Sequence, residues 1–138
     1  DDYKQYCLVF GPGDWSSAFH VAVPGPGKGG GQYDLFQLNQ WMHPDNPDID
    51  LIGEQNMELS ERAVHFASDV VGNSYFWDPL HFKEKGKHIV FVWRYNREIN
   101  AIANSFWGFV TGVCLGDQGK SVISDFSPRR VFAAWRPT

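Results

Sequence analysis

The sequence predicts an α+β fold, a twisted, mainly antiparallel sheet with a few short helices on one face. Three observations carry that prediction. Short runs of β-branched and aromatic residues, bounded by Gly, Pro, Asn and Asp, recur along the 138 residues. One stretch, 106–115, places apolar residues at helical spacing. Hydrophobic residues make up 43% and aromatics 16%, enough for one substantial core, while no apolar run approaches the roughly 20 residues a helical membrane span needs.

Taken in order, Tyr6–Phe10 reads as a first strand, closed by Gly11-Pro12-Gly13. Trp15–Val23 reads as a second, with Phe19, Val21 and Val23 on one face and His20 and Ala22 on the other. Pro24 to Gly31 is a glycine-rich loop. It fails the phosphate-loop pattern, because Ala22 stands where a Gly is required and Gly29 follows Lys28. Tyr33–Leu38 is a further short strand, after which Asn39 caps a brief helical turn before Pro44. Asn56–Arg62 offers one helical turn.

Ala63–Asp78 is the stretch around which the chain is organised. Two apolar runs flank Ser68-Asp69-Val70-Val71-Gly72-Asn73, and Gly72-Asn73 accepts the positive φ of a chain reversal. The reading is a β-hairpin whose loop is held by Asp69 and Asn73. Pro79–Phe82 and a basic turn, Lys83 to Lys87, lead into Ile89–Trp93, a continuous apolar run of the buried-strand kind. Glu98–Ile102 follows. Asn104 or Ser105 then caps a helix whose Phe106, Phe109, Val110 and Val113 share one face, and Gly116 stops it. Val131–Trp135 is a last strand or short helix. The length suits a single domain.

Three segments, in this order, resemble the SMI1/KNR4 (SUKH) superfamily: Phe66-Ala67-Ser68-Asp69 with Gly72-Asn73 and Tyr75-Phe76-Trp77-Asp78; Ile89–Trp93 with Glu98-Ile99; and Ile102-Ala103-Asn104-Ser105-Phe106 running on to Phe109. Tyr33–Asn39 resembles the strand leading into the family's middle helix, so the likeness covers roughly residues 33 to 112. It implies one SMI1/KNR4-like domain over 1–138 with a curved sheet and flanking helices. The family's opening Leu-Pro-x-x-Tyr-like segment and Asn-Gly pair are not found, which implies an N-terminal helical part that is missing or divergent. Asp69, Gly72, Asn73 and Asp78 become the structural motif. The implied function is that of the family's bacterial immunity proteins, which bind and neutralise a toxin, often a nuclease. An intracellular regulatory or scaffold domain, as in fungal relatives, is the alternative.

The residues themselves offer no catalytic constellation and no cofactor motif. His20, His43, His65, His81 and His88 are scattered, Cys7 and Cys114 form no Cys-x-x-Cys pair, and no Gly-x-Ser-x-Gly elbow surrounds any serine. Asp69 and Asp78 read as turn and strand-end residues rather than as an acid–base pair. Two cysteines without a disulfide framework fit a cytoplasmic setting.

Charge is uneven. The net −4 conceals −8 over residues 1–61 and +4 over 62–138. No base separates Lys28 from Arg62, while Asp45, Asp48, Asp50, Glu54, Glu58 and Glu61 accumulate. These six are the predicted contact surface for a protein partner, a toxin domain with a basic surface. An acidic chain speaks against a broad nucleic-acid footprint. Trp93, Tyr95 and the neighbouring arginines suit a protein interface as well.

Overall fold

The computed structural model describes residues 2–27, 29–43, 57–96 and 98–136. It is an α+β fold built on a seven-stranded sheet: β1 (Gly13–Trp15), β2 (Phe19–Val21), β3 (Val64–Asp69), β4 (Ser74–Trp77), β5 (Val90–Trp93), β6 (Ile99–Ala103) and β7 (Phe132–Ala134). The spatial order is β6-β5-β4-β3-β2-β1-β7, and every neighbouring pair is antiparallel. Five short helices accompany it: α1 (Asp2–Val9), α2 (Leu35–Met42), α3 (Met57–Arg62), α4 (Pro79–Lys85) and α5, which begins as Phe106–Gly108 and continues with π-helical turns over Phe109–Cys114.

The main core lies between one sheet face and helices α1 and α5. Phe19, Val21, Phe66, Tyr75, Val90 and Val92 project from the strands and meet Tyr6, Phe106, Phe109, Val110 and Val113. The helical stripe predicted from 106, 109, 110 and 113 is buried at all four positions. Its ladder includes a wider step, Leu115 N–H donating to Val110 O at 2.9 Å, and Ser105 caps the start by accepting from Gly108 N–H. Ring contacts dominate, with Phe66 stacked on Trp77 at 4.1 Å and Phe109 against Tyr75 at 4.8 Å.

Period two along β2 continues past its end. Val21 and Val23 enter the main core, while Ala22 points to the opposite face and joins Leu38 and Met42 of α2 in a smaller cluster. Helices therefore serve both faces of the sheet, where the sequence implied one.

Four local expectations are corrected. Tyr6–Phe10 is not a strand but the second half of α1 and the turn after it. Tyr3, Tyr6 and Cys7, at i, i+3 and i+4, pack on the core, while Leu8 is 88% exposed. Trp15–Val23 is not one strand but a hairpin, reversed at Ser16 and Ser17, both with φ of 54°, and closed by Ala18 N–H donating to Trp15 O at 3.0 Å. Tyr33–Leu38 is a helical start. Asp34, not Asn39, caps α2, accepting from the N–H groups of Phe36 and Gln37. Asn39 instead sits within α2 and bonds the β3 main chain, donating to His65 O and accepting from His65 N–H, each at 2.8 Å. Pro79 to Lys85 is the helix α4, entered through Asp78 with Pro at its first turn and ended at Gly86.

Gly13 is required by proximity. A Cβ there would stand 2.4 Å from Ala133 O and 2.6 Å from the Phe132 ring, so β1 could not lie against β7 with any other residue.

Candidate functional site: the Asp69–Asn73 loop and its flanks

The loop joining β3 to β4 is densely hydrogen-bonded around one carboxylate. Asp69 is buried, and its Oδ1 accepts from the N–H groups of Val71, Gly72 and Asn73 at 2.9, 3.1 and 3.1 Å. Its Oδ2 accepts from Asn73 Nδ2 at 2.8 Å and from the Tyr75 hydroxyl at 2.7 Å. Burial, reinforced by the neighbouring Asp69 charge, pushes the Tyr75 hydroxyl far above its usual range and keeps it a donor. Gly72 takes φ of +101°, the left-handed conformation an L side chain resists.

Asn73, 1% exposed, ties this loop to the rest of the molecule. Its Oδ1 accepts from Tyr95 N–H and its Nδ2 donates to Val122 O, both at 3.1 Å. Val70 N–H donates to Ala18 O at 3.0 Å, binding the loop to the β1–β2 turn as well. The backbone is thus fixed from several directions, yet Val70 is 58% and Val71 42% exposed, beside Tyr95 at 63%. Two clefts flank the loop. One, of about 510 Å³, is lined by Leu38, Trp41, Met42, Ser68 and Ser74; the other, of about 570 Å³, by Val71, Arg94, Tyr95, Glu98 and Lys120. Asn73 borders both. Arg94 is braced in the second, donating to Asn100 Oδ1 at 3.0 Å and to Ser121 O at 2.6 Å.

The remaining sequence-predicted residues lie elsewhere. Asp78 stands at the far end of the β3–β4 hairpin from Asp69, so the two carboxylates do not share a site. It caps α4 through Leu80 N–H at 3.0 Å and forms a two-pronged pair with Arg62, Nε at 2.7 Å and the terminal nitrogen at 3.0 Å. The Arg62 guanidinium holds the Asp78 carboxyl below its usual range, with Leu80 N–H adding to the effect. Asp45, Asp48, Asp50 and Glu54 lie outside the described residues. Glu58 and Glu61 are exposed on α3. Trp93 is buried, so of the predicted aromatic pair only Tyr95 is available at the surface.

His65, His81, His88 and Cys114 are held by packing contacts. His81 meets the Phe91 ring edge-on, and His88 stacks on Phe82 at 4.0 Å. His65 is buried with Nδ1 at 2.7 Å from Ser74 Oγ, and desolvation lowers its pKa to about 4, so the ring is neutral near pH 7. Its Nε2 is buried without a hydrogen-bond partner among the described residues. Cys114 is fully buried in the core, where desolvation pushes its thiol well up. Among the described residues no group of His, Cys, Asp or Glu converges as a metal site, and no helix is long and apolar enough to cross a membrane.

Sequence reasoning singled out Asp69, Gly72 and Asn73 but missed the exposed valines between them and the tie to Tyr95. The valines were legible as apolar residues inside a turn, where nothing local buries them. Comparisons of the chain with family models, with curated proteins and with solved structures return no match.

Proposed function

We propose that this chain is a non-catalytic protein-binding domain, an immunity protein of the SMI1/KNR4 type that binds and neutralises a partner toxin with a basic surface, such as a nuclease, in the cytoplasm. One observation carries the reading: a loop whose main chain is locked by a buried carboxylate presents Val70 and Val71 to solvent beside Tyr95. A surface already held in its binding shape loses little conformational freedom on association. An aromatic residue among aliphatics, with Arg94 close by, has the composition of an interface anchor. Trp41 rims the cleft on the other side of the loop. From Trp41 the chain runs directly into the acidic stretch that begins at Asp45, which supplies long-range attraction for a basic partner.

The test is purification of the tagged chain together with the products of its neighbouring genes, followed by assay of any co-eluting protein for toxicity and for its inhibition by this chain. A stoichiometric partner whose activity is blocked supports the proposal. A partner that is bound but not inhibited points instead to a regulatory or scaffold domain. No partner at any salt concentration overturns both.

A further inference from the structure

The two edges of the sheet are built differently. β7, Phe132-Ala133-Ala134, is preceded by Pro128-Arg129-Arg130 and followed by Arg136-Pro137. Prolines and like charges beside an edge strand are the usual means of keeping other strands away. β6, Ile99-Asn100-Ala101-Ile102-Ala103, like β7 has neither charge nor proline along its own length, but its flanks differ: Arg97-Glu98 before it are of opposite sign, and Asn104-Ser105 after it are neutral. Asn100 and Ala101 are exposed, and the strand ends the sheet. Its first three residues form a regular ladder with β5, Trp93↔Ile99, Val92↔Asn100 and Phe91↔Ala101, and the register shift falls only beyond them. Arg94 holds this stretch in place through Asn100 Oδ1.

We infer that two copies of this chain pair through β6, antiparallel and centred on Asn100, so that two sheets become one. That register sets Ile99 opposite Ala101 on both sides of Asn100, within the regular ladder, and Glu98 opposite Ile102, where the register shift begins; no like charges are opposed. The same operation on β7, centred on Ala133, would set Arg130 against Arg136 and so is disfavoured. Charge and register therefore select β6 as the self-complementary edge, forming the isologous contact of a two-fold dimer. A ladder this short buries less than the roughly 1,200 Å² of a tight complex, so the dimer is a concentration-dependent one.

The pairing is independent of the proposed function, and its test uses no partner. Sedimentation velocity on the full chain, from low micromolar upward, should show a monomer–dimer equilibrium. Ala101 side chains of the two copies lie diagonally on one face, within reach of long side chains. Ala101→Lys and Ala101→Glu should each weaken the dimer at least tenfold, with circular dichroism unchanged because the position is exposed. Mixing the two variants should restore it. Ala133→Lys on the opposite edge should leave the equilibrium as in the wild type. A wild-type chain that stays monomeric throughout, a mixture no more dimeric than its components, or loss caused by Ala133→Lys each overturns the inference.

Discussion

Replacing Asp69 is the sharpest probe of the loop, because one side chain accepts five hydrogen bonds there. Asp69→Ala removes the acceptor from three main-chain N–H groups, the Asn73 amide and the Tyr75 hydroxyl together. Bonds to a charged acceptor contribute about 1.5–3 kcal/mol each, and the loop will relax to expose some of the N–H groups, so the sum is not realised; a loss of about 3–5 kcal/mol is expected. Asp69→Asn separates charge from geometry. Its carbonyl still accepts from the three N–H groups, but its amide meets the Asn73 Nδ2 donor head-on at a site where they now sit 2.8 Å apart. About 1–3 kcal/mol should be lost. Urea denaturation reads both: with a slope of about 1–3 kcal/mol per molar, the midpoint should fall by about 1 M for Asn and further for Ala. Hydrogen exchange at Val71, Gly72 and Asn73 should speed up in Ala far more than in Asn. Equal losses for the two variants, or a midpoint unchanged in either, would refute the reasoning.

Gly72→Val should destabilise by about 1–3 kcal/mol through its φ of +101°, measured by the same denaturation curve. Phe109→Ala should lose about 3–5 kcal/mol, since the fully buried ring packs on Phe19, Phe66 and Tyr75; an unchanged melting temperature would contradict the docking of α5. Stability should also fall with acid. His65 in the folded chain has its pKa lowered to about 4 from 6.5, so the unfolded chain takes up a proton first; the stabilisation is complete above about pH 6.5 and drains away towards pH 4, by roughly 3 kcal/mol in total. Asp78, lowered by Arg62, adds a further loss at still lower pH. His65→Gln should flatten the slope between pH 6.5 and 4, and an unaltered slope would show that another group titrates there. Reversing two or three of Asp45, Asp48, Asp50, Glu54, Glu58 and Glu61 to Lys should slow partner association and blunt its salt dependence, with the melting temperature unchanged.

What was legible in the sequence was what is decided locally. The β3–β4 hairpin needed only β-formers on either side of an Asp, a Gly and an Asn with turn chemistry of their own. The α5 stripe was read from period alone, and its π-helical step did not move the apolar face. The helices α1 and α4 and the first half of α2 were missed where an apolar or aromatic run outweighed a capping signal. Asp34 and Asp78 stand one residue before Leu35 and Pro79, as caps do, and Pro79 in the first turn was a second cue. In α1 the run Tyr6–Phe10 mixes buried and exposed residues, and only the spacing of Tyr3, Tyr6 and Cys7 reveals the helix. The turn at Ser16-Ser17 carried no glycine to announce its positive φ. The site shows the same division: Asp69, Gly72 and Asn73 were evident, whereas the contact of Asn73 with Tyr95, 22 residues away, belongs to the tertiary fold.

The central claim is that the locked loop is the binding surface, and affinity for the co-purifying partner tests it directly. Val71→Asp and Tyr95→Ala change exposed side chains without touching Asp69 or Asn73. If Val71 and Tyr95 are anchors, each substitution should weaken binding by about 30-fold or more, at about 2 kcal/mol per anchor, with the melting temperature within experimental scatter of the wild type. Wild-type affinity in both variants would contradict the account.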